Sequence, residues 1–295
     1  MNAMNYEEKY DITTDSPPEV PTLEITTRLG CRVNCRYCPQ KLLATRYARR
    51  SDQTVLTFET FKICVDKLPP NAIVCFAGFS EPFLSSLALA MLEYVHAVRR
   101  PMSLFTTLVG LTIDQFDRLE RLDFRKVVLH LPDEKGFAEI PVTPEYLALF
   151  ERVLEARKPD GRRFVDKMTC QTKPPAEIFS RVAGRYHVAW NMTNRAGNLP
   201  FAELLASKNE VGALECSLSK HNHNVLLPNG EVVLCSMDFG LRHVLGNLLR
   251  DDYDEITRAS RSIEREAAQR KSDVLCRQCT EARGKIGDEF KNRNE

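Results

Sequence analysis

Residues 22–38 read TLEITTRLGCRVNCRYC. The first part has a strand pattern, with Leu23, Ile25 and Thr27 alternating with Glu24, Thr26 and Arg28. The second part is a loop that sets Cys31, Cys35 and Cys38 within eight residues. Downstream, helix patterns at 58–68, 85–100, 112–122, 144–156 and 175–182 alternate with apolar strand patterns at 72–77, 103–108, 126–131, 165–172 and 187–192. Strands alternating with helices imply a parallel sheet, open or curled toward a barrel. Chemistry in such sheets sits at the C-terminal ends of the strands, where the cysteine loop falls.

The texture changes after Gly197. Residues 223–227, the turn Pro228-Asn229-Gly230 and residues 231–235 read as a β-hairpin, because Asn-Gly between two alternating apolar runs suits a tight turn. A charged helix at 260–271 leads to Cys276-Arg-Gln-Cys279 and a polar tail. The expected organisation is a mobile arm at 1–21, a barrel unit at 22–200, a smaller unit at 201–285 and a tail at 286–295.

Composition narrows the class. The chain has 295 residues, 41 Lys plus Arg against 40 Asp plus Glu and a net charge of +1. With 43% hydrophobic residues it can bury a core, which excludes wholesale disorder. The balanced charge gives no support to a nucleic-acid scaffold held by bulk electrostatics. The longest apolar run, 72–79, is too short to span a bilayer, and the acidic N-terminus resembles no signal or transit peptide. The expected compartment is the cytoplasm, without membrane or nucleic-acid partners. Reducing cytosol disfavours disulfides, so the clustering of the ten cysteines points to metal or redox chemistry.

A cysteine followed by others at +4 and +7 arises by chance in about 1% of chains of this composition. A zinc knuckle would close its shell with four ligands. Three thiolates instead suit a four-iron cluster with one iron left open to a non-protein ligand. Here the sequence resembles the radical S-adenosylmethionine superfamily, whose hallmark is Cys-x3-Cys-x2-Cys after the first strand, with an aromatic (Tyr37) before the last cysteine. The resemblance implies that Cys31, Cys35 and Cys38 hold a catalytic [4Fe–4S] cluster and that Tyr37 packs near the adenine. It also implies that S-adenosyl-L-methionine chelates the open iron and yields a 5′-deoxyadenosyl radical on reduction. Gly78-Phe79-Ser80-Glu81-Pro82 stands where the family has a Gly-Gly-Glu-Pro-like turn for the methionyl ammonium. Gly78, Phe79, Ser80 and Glu81 are therefore expected at the cofactor, with Asn191 at a strand end.

A lone Cys-x2-Cys is weak, but Cys216 before the hairpin, Cys235 five residues after Gly230, and Cys276 with Cys279 follow the pattern of the family's twitch domain, the shortened SPASM extension. The resemblance implies one auxiliary [4Fe–4S] cluster on these four residues. A structural zinc site is the alternative on residue types alone. The implied fold class is α/β, a partial (β/α)6 barrel of parallel strands followed by a small β-hairpin plus helix auxiliary-cluster domain.

Among softer candidates, Arg195 and His130 are expected as catalytic groups able to serve the substrate hydroxyl. Thr106, Thr107, Gln171 and Thr172 sit at strand ends, and His221 and His223 flank the hairpin. Cys64, Cys75 and Cys170 read as buried small hydrophobes. Arg46, Arg49 and Arg50 form a basic patch after the cysteine loop. The combination most resembles twitch-type dehydrogenases of aminocyclitol biosynthesis, of the 2-deoxy-scyllo-inosamine dehydrogenase type. That implies an oxidoreductase acting on a secondary alcohol of a sugar, aminocyclitol or similar small molecule. The auxiliary cluster would take one electron, and a flavodoxin- or ferredoxin-type donor would supply the starting one. Alternatives are a peptide-modifying maturase, an epimerase, which would need a thiol facing the cavity, and a non-catalytic zinc or nucleic-acid module.

Overall fold

The structure, a computed structural model, describes residues 20–190, 193–199, 212–217, 222–269 and 272–284. Six parallel strands pair in sequence order: β1 (Thr22–Ile25), β2 (Ile73–Phe76), β3 (Met102–Thr106), β4 (Lys126–His130), β5 (Lys167–Cys170) and β6 (Val188–Trp190). Between them run α1 (Gln40–Tyr47), α2 (Phe58–Asp66), α3 (Ala88–Ala97), α4 (Ile113–Leu119), α5 (Pro144–Glu155) and α6 (Ala176–Val182).

Helix starts follow local chemistry. Thr57 accepts a hydrogen bond from the Thr60 amide at the head of α2. Thr112 and Gln115 form a reciprocal capping box on α4. Thr143 accepts from the Tyr146 amide with Pro144 beside it on α5. Each such cap satisfies an amide that the helix cannot. The expected helix at 85–100 is shorter: a 3-10 turn, Pro82–Leu84, closes against Ser85, and α3 begins at Ala88. Helix α1, which no apolar period announces, follows directly on the cysteine loop.

Strand β1 is buried at all four positions rather than at alternate ones. Leu23 and Ile25 join the main apolar core, whereas Thr22 and Glu24 line an interior cavity. One face meets the core and the other an enclosed lumen, so neither sees bulk solvent.

After β7 (Leu214–Cys216), the hairpin strands β8 (His223–Leu226) and β9 (Glu231–Val233) form where the Asn-Gly turn places them. They do not build a separate layer. β8 pairs in parallel with β1, and β9 with β10 (Val244–Asn247) continues the sheet outward, giving nine strands in all among the described residues. Helix α7 (Tyr253–Ala267) starts seven residues before the expected 260, where Glu255 accepts from the Asp252 amide. A two-stranded antiparallel sheet joins β7 to β11 (Ala282–Gly284). The expected unit boundary near residue 200, residues 1–19 of the arm, the tail, Asn191 and His221 lie outside the described residues. No helix among the described residues is long and apolar enough to cross a membrane.

Candidate active site between two cysteine sets

A cavity of about 220 Å³ fills the lumen. Alternate residues of the parallel strands line it, among them Glu24, Cys75, Phe105, His130 and Thr169. Its upper wall is the cysteine loop, with Cys31, Cys35, Tyr37 and Cys38. Ser236, Met237 and Phe239, just beyond Cys235, form another wall.

The turn after β2 is built by backbone geometry. Gly78 has φ +58, and a Cβ there would lie 2.6 Å from Thr26 Oγ1 and 2.8 Å from the Ile25 carbonyl. Only glycine tolerates both the left-handed backbone and that approach. The Phe79 amide donates to Thr26 Oγ1 at 3.2 Å, and Gln40 Nε2 donates to the Phe79 carbonyl at 2.7 Å. Glu81 is buried, and its carboxylate accepts from Thr106 Oγ1, the Phe83 amide, the Thr107 amide and Thr107 Oγ1. Burial still pushes its pKa up, against the pull of those bonds. The side chain thus locks the turn, while its own amide donates to Cys31 Sγ at 3.5 Å. Ser80 Oγ is buried without a partner in the cavity wall.

The three thiols of the loop suit a cluster. Desolvation raises the pKa of all three, and neighbouring thiols add to it at Cys38 and at Cys35, which reaches about 12. They are therefore close enough to repel as thiolates, and a bound cation would relieve that repulsion. Among the described residues no three His, Cys, Asp or Glu side chains surround a single ion-sized point. Three thiols on one loop lining the cavity suit three corners of an iron–sulfur cube, and the orphaned Ser80 hydroxyl suits a ligand beside it.

Cys216, Cys235, Cys276 and Cys279 also come together. All four belong to one apolar cluster with Leu214, Leu234 and Leu275. Burial, then Cys276, Cys279 and Cys216, push the Cys235 thiol well up. Cys216 ends β7 opposite Ala282 of β11, and Cys276 lies in the 3-10 turn Leu275–Gln278. Asn194 fastens this segment to the barrel: its Nδ2 donates to the Gln278 carbonyl at 2.6 Å, and its Oδ1 accepts from the Thr280 amide at 3.0 Å.

Arg195 turns the other way. Its Nε donates to the Tyr37 carbonyl at 3.3 Å, and its Nη1 lies 3.8 Å from Met237 Sδ. The guanidinium sits over the rings of Tyr37 and Phe239, at 6.0 and 5.6 Å from their centroids. Its charge pulls the Cys38 pKa down against the desolvation that raises it. His130 is lowered to about 4, first by burial and then by Arg195, so the ring is neutral at pH 7. Its Nδ1 bonds Thr169 Oγ1. Cys75 faces the cavity, whereas Cys64 and Cys170 do not line it. Sequence reasoning missed Glu24, Ser236 and Met237. No signal in the sequence marks the first, because Glu24 alternates with Leu23 and Ile25 and so reads as solvent-facing.

The family described as SPASM: Iron-sulfur cluster-binding domain matches residues 216–280, which contain Cys216, Cys235, Cys276 and Cys279. No curated protein matches the chain. Among solved structures, BtrN in complex with AdoMet and 2-DOIA has a TM-score of 0.60 at 16% identity, over 88% of this chain and 93% of that one. SuiB of Streptococcus suis bound to precursor peptide SuiA gives 0.55 at 13% identity, over 88% and 69%. Native anSMEcpe with bound AdoMet gives 0.52 at 13%, over 88% and 86%. The α/β fold expected from the sequence is the fold found, and it is shared with these AdoMet-binding proteins.

Proposed function

We propose that this chain, which combines the fold, the three-cysteine loop and the SPASM segment of radical S-adenosylmethionine enzymes, oxidises a secondary alcohol of a small polar substrate to a ketone. The observation that carries this reading is the single cavity walled on one side by Cys31, Cys35 and Cys38 and on another by the residues following Cys235. A substrate there touches both the site where a hydrogen atom is abstracted and the side toward which an electron leaves. BtrN, which this chain matches over nearly its whole length, is bound to AdoMet and 2-DOIA, and that favours a small molecule over a peptide.

Cys31, Cys35 and Cys38 would hold a [4Fe–4S] cluster, and Cys216, Cys235, Cys276 and Cys279 the auxiliary one. When bound, the first cluster with S-adenosylmethionine supplies a 5′-deoxyadenosyl radical, and the second an electron acceptor. The protein does the rest. Ser80 and the turn held by Gly78 and Glu81 position the methionyl end. Tyr37, Phe79 and Phe239 exclude water around the reacting carbon. Arg195 donates to the substrate oxygen and orients it, and the neutral His130 ring lines the wall beside Phe105.

The hydroxyl proton needs an acceptor. Two carboxylates line the cavity, and that of Glu81 locks the turn after β2. Glu24 is buried and accepts from Ser236 Oγ at 3.4 Å, beside Cys235. Glu24 takes the proton on the same side as the electron departs, so no charge is stranded in the lumen. The reading requires an external low-potential electron donor and a reducing, cytoplasmic setting, without nucleic acid or membrane.

A second reading is favoured by one observation. Cys75 pairs in register with Glu24 and faces the cavity, so its thiol could return a hydrogen atom and make the enzyme an epimerase. Anaerobically reconstituted protein incubated with a panel of aminocyclitols, sugars and peptides decides. About one 5′-deoxyadenosine per ketone supports dehydrogenation. Solvent deuterium at an inverted carbon supports the epimerase, and a modified peptide without ketone overturns both.

A further inference from the structure

The charge of the chain is balanced only in total. Residues 25–51 hold seven cations (Arg28, Arg32, Arg36, Lys41, Arg46, Arg49, Arg50) and no Asp or Glu. A net charge of +1 overall leaves the rest of the chain net negative. This cationic run is the catalytic cysteine loop and the helix after it.

Two of the seven make a side-chain hydrogen bond or ion pair within the protein. Arg28 Nη1 donates to the Leu84 carbonyl at 3.1 Å, and Arg50 pairs with Glu231 at 2.8 Å. Arg32, Arg36, Lys41, Arg46 and Arg49 are exposed, and none makes an ion pair among the described residues. Arg36 lies over the Phe137 ring at 5.0 Å, which holds it outward beside Cys35. On α1 the buried side is Leu43 and Tyr47, so Lys41 projects to solvent on the opposite side. Arg32 and Arg36 alternate with the cysteines, and Lys41 follows Cys38 within one turn. The loop therefore separates the three thiols from solvent, and its outer surface carries these cations against one carboxylate, Glu139, which accepts from Asn34 Nδ2 at 3.2 Å.

We propose that this surface docks an acidic, low-potential one-electron carrier protein of the flavodoxin or ferredoxin class. The inference rests on the radical S-adenosylmethionine reading, which requires one electron to enter per turnover. Charge complementarity argues for the occupant: an anionic carrier is steered to the point on the surface nearest the three cysteines, and repelled by the net negative remainder. A nucleic acid fits less well, because the chain as a whole is balanced in charge rather than basic.

The test uses an acidic flavodoxin as probe. Its binding to the full chain is measured by calorimetry at low and at physiological salt, and its photoreduced form is then used to drive 5′-deoxyadenosine formation. Expected is binding that weakens with salt, and a loss of about tenfold or more in affinity for Arg32→Glu with Arg36→Glu, and for Lys41→Glu with Arg46→Glu and Arg49→Glu. Arg99→Glu with Arg121→Glu, exposed at the opposite end of the strands, should bind as wild type. Titanium(III) citrate should drive the α1 variant as well as wild type, which shows intact cysteine sites. Unchanged flavodoxin binding in both patch variants overturns the proposal, as does patch-dependent binding of a single-stranded RNA with none of flavodoxin. If titanium(III) citrate yields no 5′-deoxyadenosine from wild type, the enzymatic reading fails, while the binding experiment still judges the surface.

Discussion

Arg195 donates its Nε–H to the carbonyl of Tyr37 across 3.3 Å and so ties the chain after β6 to the loop of the first three cysteines. Its backbone is left-handed (φ +47), as are those of Ala196 (φ +52) and Gly197 (φ +79). Two adjacent non-glycine residues in that region store about 1–2 kcal/mol each, so the packing around them must hold the turn. Gly197 permits it, because a Cβ there would lie 3.0 Å from Gln278 Oε1. One short turn thus sends Asn194 toward the segment of Cys276 and Cys279 and Arg195 toward the loop of Cys31, Cys35 and Cys38.

Replacing Arg195 by Met should leave the iron content unchanged but cut S-adenosylmethionine cleavage about 100-fold, because the cation that orders Tyr37 and Cys38 is gone. An altered electron paramagnetic resonance signal from the catalytic cluster, with the auxiliary signal intact, is the accompanying signature. Wild-type cleavage in Arg195→Met would show that the contact is only architectural.

Gly78→Ala should unfold more readily, by about 2 kcal/mol or more, since the new methyl cannot avoid Ile25 and Thr26. The turn carrying Ser80 would move with it. S-adenosylmethionine affinity, measured by equilibrium dialysis on the reconstituted enzyme, should fall further than for Ser80→Ala, which removes only one hydroxyl.

The strand–helix alternation was legible because the strands are apolar or alternating runs, β2 the densest, and the two cysteine sets because rare residues recur at fixed spacing. Helix α1 was not: Gln40–Tyr47 buries only Leu43 and Tyr47, too little for a periodic stripe. The place of the hairpin was hidden for another reason. Its turn is local chemistry, but the pairing of β8 with β1 joins residues about 200 apart, and no short-range signal encodes such a partner. Glu24 was hidden by alternation itself, since a polar residue at every second position reads as solvent-facing unless the far side of the sheet is known to be closed.

Stability should depend on pH through His130. Its pKa falls from 6.5 to about 4 on folding, so between those values the unfolded chain binds the extra proton. Stability contributed by the neutral ring is complete above pH 6.5 and is lost as pH falls toward 4, by about 3 kcal/mol at most. Urea unfolding of the cluster-free protein at pH 7 and pH 5 should show this slope, and His130→Gln should flatten it. An equal slope in the variant would assign the effect to other groups.

Glu24 and Cys75 lie side by side on β1 and β2 and distinguish the two reactions. For an alcohol oxidation, Glu24→Gln removes the proton acceptor but not the radical source. Ketone formation should drop about 100- to 1000-fold, while 5′-deoxyadenosine still forms and carries deuterium from a carbon-deuterated alcohol. Cys75→Ala should then leave ketone formation within about twofold, because a small buried thiol is replaced without losing a step. If the enzyme instead inverts a carbon, the pattern reverses. Cys75→Ala halts product after one abstraction, because no hydrogen atom returns to the substrate carbon, and Glu24→Gln matters little. A measured pattern in which neither variant separates radical formation from product would place the chemistry elsewhere in the lumen and remove both residues from the mechanism.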